Sequence, residues 1–320
     1  MHNNDNFADI IAKGSKSFSL ASKFFPKHLR NDIHILYAWC RYCDDKIDNQ
    51  ILGHSNSQKE ISTKEVLQNI YHRTFQNLDV SITSPENIFE HFSVLVGKYN
   101  IPHKYIRDFL MGMKSDVDGK SYHSTEDLIE YCYQVAGTVG VMITHIVGCR
   151  NREALNYAID LGIAMQLTNI VRDIVDDFQQ GRLYIPGEIM DKHNLQPQDI
   201  LSPQHRKELF SIGNELLFLA DQYYQSSRKG MKFLHFNARV PIAMGCEIYR
   251  EIGREIYRRG DKSWNKRTKV SKLSKYLKAF KGLSLAISIE YQNFKRSIAQ
   301  KSYREIPKEY EKVDLFEQAL

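Results

Sequence analysis

The chain has 320 residues, is 42% hydrophobic and 26% charged, and carries a formal net charge of +6 at pH 7. These are ordinary values for a soluble globular protein that buries a sizeable core. No apolar run reaches the roughly 18 residues of a membrane-spanning helix, and no basic stretch followed by an apolar one opens the polar N-terminus, so neither a membrane span nor a secretory signal is expected. Five scattered cysteines (Cys40, Cys43, Cys132, Cys149, Cys246) make no disulfide framework and point to a reducing, cytoplasmic compartment. Cys40 and Cys43 form a C-x-x-C without a second ligand pair, and read as small core-facing residues of a helix.

Helical periodicity runs through nearly the whole sequence, and strand-like alternation is sustained nowhere. The pattern predicts helices near 29–50, 62–79, 85–99, 102–117, 125–148, 152–178, 203–229, 237–259 and 271–300. Pro26, Pro85, Pro102, Pro186 and Pro203 stand where helices should begin or end. Gly53 to Ser62 reads as a polar loop. No repeat and no linker divides the chain, so one all-α domain over 1–302 is expected, with 303–320 as a peripheral tail.

The chemistry gathers in two segments. In the first, Tyr37, Arg41, Asp44 and Asp48 are spaced 0, 4, 7 and 11. In the second, Gln166, Asn169, Asp173 and Asp177 are spaced 0, 3, 7 and 11 within an otherwise apolar helix. At 3.6 residues per turn each set shares one helix face. A polar stripe on a buried helix costs several kcal/mol unless partners satisfy it, and carboxylates four apart repel. Two such stripes make sense facing each other across divalent cations. Oxygen ligands without histidine suit Mg²⁺ or Mn²⁺ shared with substrate phosphates. Arg41, Arg172 and Arg182 flank the acids, and acids for metals with arginines for phosphates imply a diphosphate ligand. Asp45 and Asp176 lie about 100° off the stripes and carry less weight.

Other readings fit less well. Neither acid cluster has the glycine and glutamate of a calcium loop, and no Glu-x-x-His pair supports a di-iron bundle. No Gly-x-Gly-x-x-Gly follows a strand, so NADPH is not expected. From Arg258 to Arg304 there are 14 Lys or Arg against Asp261 and Glu290. Such a run is either a solvated face or a surface for phosphate or anionic lipid; no motif accompanies it that would speak for nucleic acid.

Four segments, in order, resemble the motifs of the squalene and phytoene synthases. They are Gly14-Ser-Lys-Ser-Phe18, Tyr37 through Asp48, Tyr131 through Gly140, and Leu161 through Pro186. The resemblance covers nearly the whole chain, and Tyr37-Ala-Trp-Cys-Arg41 and Asp173-Ile-Val-Asp-Asp177 bring it closest to the bacterial members that form phytoene. The Arg-Arg-Gly of chain-elongating prenyltransferases and the Asp-x-Asp-Asp of protonation-initiated cyclases are missing.

The resemblance implies an isoprenoid-synthase fold, a single helical domain around a central apolar cavity. It implies metal binding by Asp44, Asp48, Asn169, Asp173 and Asp177. It places Ser15, Lys16, Arg41, Gln166, Arg172, Arg182 and Tyr184 at the diphosphates, and more loosely Tyr249 and Arg267. Phe18, Ser22, His34, Tyr37, Ala136, Gly137 and Gly140 would line the prenyl cavity, and Tyr131 would turn its ring to a cation. The small residues fit close helix packing equally well.

The implied reaction joins two geranylgeranyl diphosphates head to head, through prephytoene diphosphate, to phytoene. Expected partners are that substrate, an anionic membrane surface held peripherally and other enzymes of carotenoid synthesis, not nucleic acid. A C15 reaction giving presqualene diphosphate, dehydrosqualene or squalene is the alternative, and an inactive lipid-binding relative the non-enzymatic one. His34 lies ten residues before Asp44, about 15 Å along the helix, roughly where a third isoprenoid unit ends. His34 and Ser22 are both small enough to leave a tunnel open for a C20 tail, and both also fit as packing residues between helices.

Overall fold

A computed structural model describes residues 7–304, except 49, 52–53, 56–61, 79, 81 and 150. The chain opens with α1 (Phe7–Gly14) and α2 (Lys16–Ser22), two helices too short for periodicity to reveal. Ser15 caps α2, its hydroxyl accepting from the Phe18 amide at 3.2 Å. The first long helix, α3 (Lys27–Ile47), starts directly after Pro26 and ends three residues before the predicted boundary, with Asp48 as its C-cap. Its inner face carries Ile33, Leu36, Trp39, Cys43 and Ile47, and Trp39 stacks on Phe92 at 3.9 Å. Cys43 is buried as expected; Cys40 is half-buried and faces the cavity described below.

After α3 the two-residue strands β1 (Gln50–Ile51) and β2 (His54–Ser55) pair antiparallel; Gln50 is the predicted end of the first long helix, β2 falls within the expected loop Gly53 to Ser62, and most of the rest of that loop lies outside the described residues. Then follow α4 (Thr63–Leu78), α5 (Ile88–Tyr99) and α6 (His103–Val117). The predicted helix over 125–148 is three pieces: α7 (Thr125–Cys132), a π-turn (Tyr133–Gly137) and α8 (Thr138–Ile146). Beyond it come α9 (Arg152–Gln179), the short α10 (Gly187–Lys192), α11 (Arg206–Gly230), α12 (Phe236–Arg259) and α13 (Lys272–Arg304). The expected tail from 303 lies outside the described residues but for the last two residues of α13.

Two apolar clusters flank a central space. One joins α9, α11 and α12 around Leu167, Val171, Leu216 and Ile248. The other joins α3, α5, α6 and α8 around Trp39, Phe92, Ile106 and Met142. The helix α9, about 42 Å long, stands between them. Its contact with the π-turn and α8 is backbone on backbone. A Cβ added at Gly162 would lie 2.4 Å from the Ala136 carbonyl oxygen, and one at Gly140 would lie 2.4 Å from that of Ala158. The π-turn swells the helix at Ala136 and Gly137, where α9 approaches, and such bulges recur at functional sites.

These contacts predict opposite effects for two glycine-to-alanine changes. Gly162→Ala should destabilise by about 1–3 kcal/mol, because the backbone it meets cannot yield. Gly97→Ala, on an exposed stretch of α5 with nothing within 4 Å, should stabilise by about 0.5–1 kcal/mol. Urea-denaturation midpoints of the two variants check both signs.

Candidate active site

The cavity between the clusters has a volume of about 280 Å³. Ile33, Leu36, Tyr37 and Cys40 of α3 line one wall, and Ala158, Leu161, Gly162, Met165, Gln166 and Asn169 of α9 line another. Val135, Ala136, Val139 and Gly140 close a third side, and Ile242, Gly245 and Tyr249 of α12 a fourth. The lining is mostly apolar, with Thr144, Tyr157 and Ser227 interspersed, and it also includes Gln166, Asn169 and Tyr249. One turn beyond Cys40 on α3 stands Asp44, and one turn beyond Asn169 on α9 stands Asp173. Both helices therefore deliver their carboxylates to the same end of the cavity.

Arginines hold those carboxylates. Arg41 bridges Asp44 (3.0 Å) and Asp45 (2.9 Å). Asp173 receives two-pronged hydrogen bonds from Arg172 (2.9 and 2.5 Å) and from Arg267 (2.8 and 2.7 Å). Arg182 donates to Asp48. The sequence around Arg182 explains its reach. Gly181, at φ +80°, ends α9 in a left-handed turn, and the Arg182 amide then returns to the Asp177 carbonyl at 2.9 Å. Arg182 thereby links the second stripe's helix to the first stripe's acid. Arg267 is placed by its own anchor: the Trp264 indole donates to the Val171 carbonyl of α9 at 2.9 Å.

Seven carboxylates (Asp44, Asp45, Asp48, Asp116, Asp173, Asp176, Asp177) share this region with four guanidiniums (Arg41, Arg172, Arg182, Arg267). The imbalance is felt. Loss of solvent, then the charge of Asp48, pushes the Asp44 carboxyl up to about 7, although 42% of its side chain still opens to the cleft. Burial and Asp173 push Asp177 up to about 8. Burial acts on Asp173 in the same sense, but its two arginines outweigh it and hold that carboxyl below the usual range.

This donor set fits a hard divalent cation. It offers oxygen only, it carries surplus negative charge, and Asn169 and Gln166 stand beside it, 3.4 Å apart. Among the described residues no three carboxylates already close around one point.

Asp116, at the end of α6, escaped the sequence reading. It accepts from the Tyr131 hydroxyl at 3.0 Å and from the Tyr184 hydroxyl at 2.8 Å. Burial pushes its carboxyl up to about 6 against the pull of Arg182 and both tyrosines. It lies on no carboxylate stripe, so spacing gives no signal for it. Tyr131, expected to face a cation, is instead stacked on Tyr184 at 5.0 Å and is absent from the cavity wall.

His34 and Ser22 also differ from their expected place. They hydrogen-bond each other at 3.1 Å between α3 and α2, and the neighbouring Ile33 and Ala21 line the cavity in their stead. Gly137 packs on Ile159 rather than lining the space. Phe18 and Tyr37 do line it, stacked at 5.5 Å. Gly14 has no side chain where the Tyr37 hydroxyl sits, since a Cβ there would lie 2.5 Å from it. Ser15 shares a hydrogen bond with Tyr249 at 3.1 Å, and Lys16 is exposed beside them. A larger groove, about 1070 Å³, opens between α11 and α12, but its lining holds neither stripe.

A profile of the family described as squalene/phytoene synthase matches residues 11–274. The chain belongs to that family. It is 38% identical over 259 residues to a 15-cis-phytoene synthase of Enterobacter agglomerans, covering 81% of this chain and 87% of that one. It is 36% identical over 269 residues to a 15-cis-phytoene synthase of a Paracoccus species, covering 83% and 86%. Among solved structures it is similar to a dehydrosqualene synthase in complex with ligand, with a TM-score of 0.76 and 29% identity over 88% of this chain and 95% of that one. The all-helical isoprenoid-synthase fold follows, and the family implies a prenyl synthase that depends on a divalent metal.

Because the carboxylates share their charge across one site, removing one should disable it while the fold survives. Asp44→Asn and Asp173→Asn should each lower turnover at least a thousand-fold, on the order of 4 kcal/mol of transition-state stabilisation, with unchanged helical circular dichroism. Asp45→Asn should be milder, and chelation by EDTA should arrest the native enzyme. Full activity in EDTA would show the acids to be structural.

Proposed function

We propose that the protein condenses two geranylgeranyl diphosphates head to head to prephytoene diphosphate, and converts that intermediate to phytoene, releasing two diphosphates and a proton in all. The observation that carries this reading is the shared geometry of α3 and α9. Each lines an apolar cavity and then, one turn on, presents an aspartate pair at its polar end. Identity of 36–38% to relatives named 15-cis-phytoene synthase supports the C20 substrate.

Bound Mg²⁺ or Mn²⁺, held by Asp44, Asp48, Asp173, Asp177 and Asn169, would neutralise the departing diphosphate. The chain's own groups do the rest. Arg41, Arg172, Arg182 and Arg267 now hold carboxylates, and the same planar forks fit phosphate oxygens. Ser15 and Tyr249 share a hydrogen bond, Lys16 follows Ser15, and Tyr249 and Gln166 both line the cavity. The prenyl tails lie in the cavity, which keeps water from the allylic cation formed on ionisation. Phe18 and Tyr37 offer ring faces to positive charge. Tyr131 and Tyr184 act through Asp116, keeping that carboxylate turned to them beside Arg182, and burial with the Asp116 charge holds both phenols protonated.

The catalytic unit in this reading spans residues 1–302. No helix among the described residues is long and apolar enough to cross a membrane. We infer peripheral association with an anionic membrane surface, where the lipid substrate arrives and neighbouring enzymes of carotenoid synthesis take the product. The basic segment from Arg258 to Arg304 supports this.

The depth of the cavity gives the test of chain length. Along α9 the lining runs from Asn169 back to Ala154, about 22 Å. Ala154→Phe should fill the deep end and depress condensation of C20 diphosphate about ten-fold or more, while C15 condensation is retained, because an overfilled cavity excludes the longer chain first. Product should form without NADPH. A reduced C30 product that appears only when NADPH is supplied would establish the C15 reaction instead.

A further inference from the structure

The family match ends at residue 274, and α13 runs on to Arg304. Its inner face is well seated on α12. Ala279 and Ala286 are buried, and a Cβ on Gly282 would lie 2.5 Å from the Met244 Cα. Lys278 pairs with Glu251 at 2.8 Å and Lys281 with Glu247 at 3.2 Å. The outer face is not what a solvated helix carries. Leu273, Leu277, Phe280, Ile287, Tyr291 and Phe294 are all more than half exposed, with Phe280 at 71%. On a regular helix these six fall within an arc of about 100°, opposite the packed face, in a row about 32 Å long.

Basic side chains border the row. Between 272 and 296 the helix has six Lys or Arg and one acid, Glu290, which is committed to Arg239. Lys295 lies over the Tyr291 ring at 4.7 Å. An apolar arc edged by lysine and arginine is the pattern of a helix that lies in the plane of a membrane interface. A second copy of the chain would bring Lys272 and Lys295, which border the row, against the same lysines of its partner, like charge against like. The partner that complements both the apolar row and its cationic border is an anionic lipid surface.

We propose that α13 is the membrane-docking element, with Leu277, Phe280, Ile287 and Phe294 buried among the acyl chains and the flanking basic residues on anionic headgroups. This rests on the peripheral membrane reading above and deepens it by naming the inserting face. The placement suits the reaction. The helix α12 separates α13 from the cavity, which its Ile242, Gly245 and Tyr249 line on the far side. Docking by α13 therefore holds the cavity about one helix diameter, roughly 10 Å, from the bilayer that stores its substrate. At the near end of α13, burial and then the charge of Lys16 hold the Lys275 ammonium below its usual range, and Lys16 follows Ser15, which hydrogen-bonds the cavity-lining Tyr249.

The full-length protein is tested on vesicles of phosphatidylcholine alone and with phosphatidylglycerol. The native chain should sediment with the anionic vesicles and leave a bound fraction in molar salt, since insertion is not screened. The variant Leu277→Ser/Phe280→Ser/Ile287→Ser/Phe294→Ser should lose that salt-resistant fraction, its partition falling about a hundred-fold. Its turnover in detergent should match the native enzyme, which shows that the fold is intact. Separately, the emission of Phe280→Trp should shift to the blue on anionic vesicles and be quenched by brominated acyl chains. Unchanged partition of the quadruple variant, or an unquenched tryptophan, overturns the assignment to α13 while leaving charge-driven association standing. A native dimer dispersed by the same four substitutions overturns it in favour of a second copy. A native chain that binds no vesicle at all defeats the membrane reading as a whole.

Discussion

Like charge concentrated at one end of two buried helices is the constraint around which this molecule is built. Carboxylates gathered there repel one another and lose hydration, and either effect alone would open the site. The chain answers with guanidiniums in positions that no single helix could supply. Arg41 and Arg172 come from the stripes' own helices, Arg182 from the turn that ends α9, and Arg267 from the segment before α13. These pairs are partly open to solvent, so each contributes more than a surface pair and less than a fully buried one. The arginines are therefore both what balances the carboxylates and what meets an incoming anion. A diphosphate arriving with its cations offers each side of the pair a new partner, and the total charge stays close to balance.

The position of the charges depends on contacts that have no charge at all. The helix α9 can deliver Asn169, Asp173 and Asp177 beside α3 only because Gly162 lets its backbone meet the π-turn and Gly140 lets it meet α8. A side chain at either position would push α9 away and widen the cleft. Trp264 performs a similar task at the other side of α9. Its indole reaches a carbonyl in the helix interior, and the loop it fixes carries Arg267 to Asp173. Packing thus sets the distance between charges, and the charges set what the cavity's polar end can hold.

The surface has its own division of labour. Glu247 and Glu251 are buried, yet each is served by basic residues, and two of those, Lys281 and Lys278, belong to α13. The helix is pinned by ion pairs on its inner side, which leaves its apolar outer row exposed among the described residues. A basic run read along the sequence does not distinguish lysines that tie one helix to another from lysines that face outward. Both kinds occur in α13.

Much of the site was legible in the sequence because a helix converts spacing into direction. Positions 0, 4, 7 and 11 share a face in any helix, so spacing alone places Asp44 with Asp48 and Asp173 with Asp177 in two stripes. The long helices were legible for the same reason, and the short α1, α2 and α10 were not, since each spans about two turns. What spacing cannot give is the rotation of one helix against another. His34 lies on the same helix as Asp44, yet α3 is turned so that Ile33 and Leu36 face the cavity and His34 meets Ser22. Tyr131 and Asp116 come from different helices and meet only because α6 and α7 fold against the turn that bears Tyr184. The sequence by itself determined the helical class, the two carboxylate stripes and the arginines near them, because these are local properties of 3.6-residue periodicity. Only the tertiary structure decided which arginine holds which aspartate, which side chains line the cavity and which face of α13 is left open, because each is a contact between segments that the chain holds far apart.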